Sequence, residues 1–111
     1  MRIVNRSEFL TLPKNTLFCK YSEGGCLGNI KIKLDTWDKD YLSINLQGMF
    51  KNNSPEEYFD KLDLVEDNSS IEFEQDMETC QRDGLFEEDQ KFIIYNKFDI
   101  EKLINTLKEL I

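Results

Sequence analysis

Residues 30–46, IKIKLDTWDKDYLSINL, decide the fold, because apolar and polar side chains alternate on both sides of a polar turn. Alternation with a period of two is typical of a β-strand that buries one face. The segments IKIKL (30–34) and YLSINL (41–46) are therefore predicted strands, which TLFCKY (16–21) extends into an antiparallel meander. The residues predicted to face the core are Ile30, Ile32, Leu34, Leu42, Ile44 and Leu46, with Lys31 and Lys33 towards water.

Helices are predicted on either side of this meander. Ser7 caps a short helix, EFLTL, which ends before Pro13 because proline disfavours helical geometry in the preceding residue. In NNSPEEYFDKLDLV (52–65), Ser54 is the predicted N-cap and Glu57 completes a capping box. The apolar residues of this helix recur at helical spacing: Tyr58, Phe59, Leu62 and Val65.

A third helix is predicted over IEKLINTLKELI (100–111), with Asp99 as its cap and Phe98 packed on Leu103. Its apolar stripe consists of Ile100, Leu103, Ile104, Leu107 and Ile111. Further strands are expected at Arg2 to Val4, at IEF (71–73) and at KFIIYN (91–96), whose two apolar faces are typical of an interior strand. The whole pattern predicts one α+β domain over residues 1–111. It has a mainly antiparallel sheet of about four to six strands with two or three packed helices.

Charge is distributed unevenly along the 111 residues, which carry a formal net charge of −8. Residues 56–90 hold fourteen acidic and two basic side chains. Such a block repels nucleic acid and anionic membranes and attracts basic surfaces. The sequence has no apolar run long enough to span a membrane and no signal-peptide pattern. Three cysteines without framework spacing favour a reducing cytoplasm, where each is expected to be a buried apolar residue.

The segment RDGLFEEDQ (82–90) is the first place to look for chemistry. An EF-hand loop with Gly84 at its sixth position would retain only Asp83 as an acidic ligand, so calcium binding is not predicted. A carboxylate site formed by Asp83, Glu87, Glu88 and Asp89 remains an alternative. The favoured interpretation is structural: Asp-Gly makes a tight turn, and Leu85 and Phe86 anchor it.

Other classes of site find little support in the composition. The absence of histidine excludes a Ser-His-Asp or Cys-His arrangement and any zinc site that needs imidazole. The glycine-rich segment GGCLGN lacks the Lys-Ser/Thr of a phosphate-binding loop. No catalytic, cofactor-binding or metal-binding residue is predicted.

Three segments resemble a family of small uncharacterised proteins of bacteria, phages and prophages. EFLTLPKNTLFCKY (8–21) is similar to the family pattern EFLxLPxGTLFxKY, with Asn15 where glycine is common. GNIKIK (28–33) is similar to a second, shorter pattern, and RDGLFEEDQKFIIYNKFDIEKLINTL (82–107) to RDGLFDEDQxFxVY. The resemblance implies kinship with phage cargo. It implies no activity, because none is established for the family.

The leading hypothesis is a non-catalytic, acidic protein that binds a basic surface of a protein partner. One such role is a phage-borne inhibitor of a host nucleic-acid enzyme, in the manner of an anti-CRISPR nucleic-acid mimic, acting in the host cytoplasm without binding nucleic acid or membrane itself. The alternatives are a small structural or regulatory phage protein whose acidity serves solubility, and a hydrolase or transferase with a carboxylate site. The predicted binding residues form one row on the helix and one on a strand: Glu56, Asp60, Asp63, Glu66 and Asp67, then Glu72, Glu74, Asp76 and Glu78.

Overall fold

The computed structural model describes residues 1–111, of which 28% are helical and 33% lie in strands. The predicted α+β class is confirmed. In chain order the elements are β1 (Arg2–Asn5), α1 (Arg6–Thr11), β2 (Thr16–Ser22), β3 (Cys26–Leu27), β4 (Lys31–Trp37), β5 (Asp40–Asn45), β6 (Met49–Phe50), α2 (Pro55–Asp67), β7 (Gln75–Asp76), β8 (Cys80–Arg82), β9 (Lys91–Ile94) and α3 (Lys97–Lys108).

A seven-stranded sheet forms the body of the protein, in the order β1-β9-β2-β4-β5-β8, with β3 paired to the carboxyl-terminal end of β2. All its pairings are antiparallel. The predicted meander is confirmed, since β2, β4 and β5 are neighbours. In β9, Phe92 lies opposite Val4 on one side and Lys20 on the other, so the doubly apolar segment is an interior strand as predicted.

The main apolar core lies on one face of this sheet, under the short helix α1. Phe9 of α1 is fully buried, and its ring stacks on Phe92 with centroids 3.9 Å apart. It also contacts Phe18 at 4.7 Å and Tyr41 at 4.9 Å. The remaining members of the cluster are Val4 and Ile94. Helices α2 and α3 bury no residue, so α1 is the helix that covers this core.

The alternation of β4 and β5 is present, but the core covers the side that was predicted to face water. Lys33 is 1% exposed, and its ammonium donates to the carbonyl oxygens of Leu12 at 2.9 Å and Leu34 at 3.3 Å. Opposite Lys33, Ser43 is buried, and Tyr41 on the same strand lies in the core. Alternation shows which residues share a face, but it does not show which face α1 covers. The residues predicted to point inwards are only partly buried: Ile30, Ile32, Leu34, Leu42, Ile44 and Leu46.

Asparagine side chains cap two of the helices, where other residues were predicted. In α1 the cap is Asn5 rather than Ser7, and its Oδ1 accepts from the backbone N–H of Glu8 at 2.8 Å. In α3 the cap is Asn96, which accepts from the N–H of Asp99 at 2.9 Å. Asp99 is the third residue of this helix and closes a capping box by accepting from the N–H of Asn96 at 3.0 Å.

The second face of the sheet is covered in part by α3. Leu17 and Tyr95 line a cleft of about 290 Å³ together with residues of that helix. Cys19 is fully buried, with its Sγ 3.4 Å from the Tyr95 hydroxyl. All three thiols are free. Cys26 and Cys80 are exposed, so the prediction of buried cysteines is right for Cys19 alone.

Candidate functional site

Helix α2 carries the first row of predicted binding residues, and local sequence defines its start. Ser54 is the N-cap as predicted, with its Oγ accepting from the N–H of Glu57 at 3.2 Å. The Glu57 carboxylate accepts from the N–H of Asn53 at 3.0 Å, one residue before the cap, so the capping box closes in altered form. This hydrogen bond, followed by the contact with Lys61, keeps the pKa of Glu57 below its usual value.

Aromatic contacts hold α2 against the small sheet formed by β6 and β7. Phe50 of β6 lies edge-on to Phe73 with ring centroids 4.0 Å apart, and 5.7 Å from Tyr58 of α2. The two strands approach so closely that a Cβ at Gly48 would collide with the carbonyl oxygen of Asp76. The inner side of α2 is therefore fixed by Tyr58, and its other side faces solvent.

The solvent side of α2 displays five carboxylates. Asp60, Asp63 and Asp67 recur at i, i+3 and i+7 and are all exposed, so the predicted row on one helix face is present. At a rise of 1.5 Å per residue this row spans about 10 Å. Glu56 and Glu66 are exposed on the same side, and none of the five forms an ion pair. We call these five residues the acidic face.

The second predicted row, Glu72, Glu74, Asp76 and Glu78, is not formed. Residues 71–74 are irregular instead of the predicted strand IEF, and the strand is the two-residue β7. The Asp76 carboxylate accepts hydrogen bonds from the Thr79 hydroxyl and from the N–H groups of Glu78 and Thr79, which lower its pKa. Glu74 pairs with Lys51 at 3.5 Å. Local turn bonds thus redirect side chains that strand periodicity would have aligned.

Two apolar side chains are exposed at the edges of the acidic face, and the ring of Phe59 also lies 5.5 Å from that of Tyr58 on the inner side. Phe59 is 62% exposed and Leu64 is 59% exposed. Sequence reasoning placed Phe59 on the buried stripe, because it follows Tyr58 in an apolar pair. Helical spacing would have predicted an exposed Phe59, because this residue lies between Glu56 at i−3 and Asp63 at i+4. The acidic face therefore contains exposed apolar contacts as well as charge.

A buried ionic cluster surrounds Asp83 of the RDG sequence, and it is the polar centre that sequence reasoning missed. Asp83 accepts from Lys20 Nζ at 2.8 Å, Arg6 Nη1 at 3.3 Å and the Tyr41 hydroxyl at 3.2 Å. Its side chain is 4% exposed. Burial acts to raise the pKa of Asp83, but the hydrogen bond and charge of Lys20, with those of Tyr41 and Arg6, lower it overall. No local pattern reveals the cluster, since Lys20 and Arg6 are 63 and 77 residues away in sequence.

A second buried carboxylate, Asp40, holds the irregular backbone that follows Asp83. Its Oδ1 accepts from the N–H of Gly84 at 3.1 Å, and its Oδ2 pairs with Arg82. Burial opposes the charged form, yet these hydrogen bonds hold the pKa of Asp40 below its usual range. Gly84 has φ +67°, but residues 83–87 are irregular and the turn lies at Glu88 and Asp89, so the predicted Asp-Gly tight turn is not formed. Phe86 is 46% exposed and lies 5.7 Å from the Arg82 guanidinium, whereas Leu85 is 60% exposed, so the prediction that both anchor a turn is wrong.

The carboxylates considered for an acid cluster are separated by the fold. Glu87, Glu88 and Asp89 line an open cleft of about 700 Å³ with Glu23, whereas Asp83 is engaged in the buried cluster. No group of three or more Cys, Asp or Glu side chains is arranged to hold a metal ion. None of the acidic side chains that line this cleft is buried, as a catalytic acid with a shifted pKa would need to be. The cleft therefore gives no support to the alternative carboxylate site.

Comparison of the chain with protein-family models, with curated proteins and with solved structures gives no match. The resemblance to bacterial and phage proteins therefore stays a prediction. No helix of the protein combines the length and the apolar character needed to cross a membrane. The function is inferred from the residues of this chain, and the acidic face is the one predicted site that retains its expected geometry.

Proposed function

We propose that the protein is a non-catalytic binding protein whose acidic face engages a basic surface of a protein partner. The observation that carries the proposal is the set of five exposed carboxylates on α2 that no basic side chain neutralises. An unpaired carboxylate attracts a basic groove at full strength, whereas a carboxylate already paired on the same molecule is largely neutralised.

The proposed partner is a nucleic-acid enzyme, such as a nuclease, whose basic groove the acidic face occupies in place of DNA or RNA. Residues 56–90 carry fourteen acidic and two basic side chains, a field that speeds encounter with basic surfaces and disfavours direct binding of nucleic acid. With the resemblance to phage proteins, this makes the protein a phage-borne inhibitor acting in the host cytoplasm.

Phe59 and Leu64 supply the part of the interaction that charge alone lacks. Aromatic and aliphatic anchors contribute most of the affinity at many interfaces, and surrounding polar residues exclude water and set register. The proposed groove therefore offers an apolar pocket rimmed by Lys or Arg. An exposed phenylalanine does not improve solubility, so the 62% exposure of Phe59 favours a binding surface over acidity for solubility alone.

The test compares two triple charge reversals of equal size. One variant carries Asp60→Lys, Asp63→Lys and Asp67→Lys on the acidic face. The control carries Glu87→Lys, Glu88→Lys and Asp89→Lys in the open cleft, where the side chains are also exposed. Each protein is used to capture a partner from bacterial lysate across a salt series. The affinity of the purified partner and its competition by a short DNA duplex are then measured.

The expected result is that the acidic-face variant loses binding by about tenfold or more for each reversed contact, with a shallower salt slope, while the control keeps most of the affinity. Competition by DNA would identify the groove. Unchanged affinity and salt slope in the acidic-face variant would contradict the proposal, and the role in solubility alone would remain. Turnover that depends on a divalent metal would instead support the carboxylate enzyme.

A further inference from the structure

Helix α3 leaves much of its apolar stripe uncovered. Leu103 lines the cleft beside Leu17 and Tyr95 on the second face of the sheet. Ile104 and Leu107, further round the helix, are 46% and 53% exposed. The helix as a whole buries no residue. An apolar stripe turned partly away from the sheet marks a surface at which another molecule can dock.

The uncovered residues follow the spacing of a coiled-coil seam. Ile100, Ile104 and Leu107 are separated by four and three residues, so they lie along one line of the helix. Ile100 is partly buried at the start of this line. We call these three residues the seam. Phe98 was predicted to pack on Leu103 but is 72% exposed, and it lies outside the seam.

Charge indicates what covers the seam. The chain carries −8 overall, but the repulsion between two copies comes from residues 56–90, which hold fourteen acidic and two basic side chains. Residues 91–111 are near neutrality, with four basic and three acidic side chains, and residues 1–55 carry eight basic and five acidic ones. Two copies therefore meet little repulsion around α3, and this region also exposes the seam.

The flank of the seam is self-complementary in one orientation. Glu101 and Lys108 are seven residues apart and lie on the same side of the seam, one heptad from each other. Within one copy Glu101 lies 3.9 Å from Lys97, an exposed and therefore weak ion pair that it can exchange for Lys108 of a second copy. In an antiparallel pair with its two-fold axis between Ile104 and Asn105, Glu101 of each copy meets Lys108 of the other. A parallel pair leaves these opposite charges about 10 Å apart along the axis. Two reciprocal ion pairs thus favour the antiparallel arrangement.

We propose that the protein forms a two-fold symmetric dimer through α3, with the seams packed antiparallel and Glu101 paired with Lys108 of the second copy. The same patch on both subunits makes the contact, as an isologous interface requires. Two helices of this length make an interface below about 1,200 Å², so the dimer is reversible and its population depends on concentration. The acidic faces on α2 are not part of this contact, and the proposal is independent of the proposed function.

The experiment is sedimentation equilibrium of the full chain over a concentration series. The seam variant is the pair Ile104→Asp and Leu107→Asp, and the matched control is Phe98→Asp on the same helix. We expect the wild type and the control to dimerise at micromolar to millimolar concentrations and the seam variant to stay monomeric. Circular dichroism checks that the variants keep their helix content.

A charge exchange tests the orientation without changing the seam. Glu101→Lys alone should raise the dimer dissociation constant about tenfold, because it places like charges opposite Lys108. Glu101→Lys combined with Lys108→Glu should restore the wild-type constant. A wild type that stays monomeric throughout would overturn the proposal. So would a dimer that survives the seam variant, a double charge exchange that fails to recover, or a monomer whose seam binds detergent micelles instead.

Discussion

Asp83→Asn is the substitution with the largest expected effect on stability, because it removes the charge that the buried Arg6 and the half-buried Lys20 share. Asn keeps the shape of the side chain and its acceptor oxygen, so the change isolates charge from volume. The side chains of Arg6 and Lys20 are 7% and 24% exposed, so neither is fully rehydrated in the variant. Hydrogen bonds to charged groups contribute about 1.5–3 kcal/mol each, and two are weakened here.

Partial solvation of Lys20 places the expected loss near the lower end of that sum, at about 3–4 kcal/mol of unfolding free energy. Urea denaturation followed by circular dichroism measures it, with Asp89→Asn as the control that removes an exposed carboxylate. A second substitution, Lys20→Met, should cost less in the Asp83→Asn background than in the wild type, since the two residues interact. A loss below about 1 kcal/mol for Asp83→Asn would refute the view that this cluster stabilises the fold.

Four further predictions rest on the same structure. Burial acts to raise the pKa of Asp83, but its hydrogen-bond and ion-pair partners lower it overall. The ionised carboxylate therefore contributes its full stabilisation above about pH 4 and loses it as the pH falls through the folded-state pKa. The melting temperature should therefore fall more steeply below about pH 4 in the wild type than in Asp83→Asn. Gly84→Ala should lower the free energy of unfolding by about 1 kcal/mol or more, because φ is +67° at this residue. No atom lies near enough to clash with the added Cβ, so the loss would come from backbone strain alone. A smaller loss would show that the backbone at Gly84 relaxes. Millimolar calcium should leave the wild-type melting temperature unchanged, and a large rise would revive a metal loop. A thiol reagent should modify Cys26 and Cys80 in the folded protein and Cys19 after unfolding, and rapid modification of all three would place Cys19 at the surface.

Local sequence determined the existence and type of most elements. The alternation in IKIKL and YLSINL, the doubly apolar KFIIYN and the Ser54-Pro55 start of α2 all act within a few residues, through backbone geometry and nearby hydrogen bonds. The positive φ of Gly84 belongs to the same class, because glycine adopts it without a Cβ clash. So does the acidic row on α2, since helical periodicity alone brings its members to one side.

Tertiary structure decided which side of each element is covered and which charges are paired. Lys33 was assigned to water and Ile32 to the core, but α1 covers the opposite face of the sheet, and the Lys33 ammonium reaches backbone carbonyls there. Alternation leaves two assignments equivalent until a partner element chooses between them. The cluster around Asp83 depends on residues far apart in sequence, and their meeting depends on how α1 and β2 pack, which no short pattern encodes.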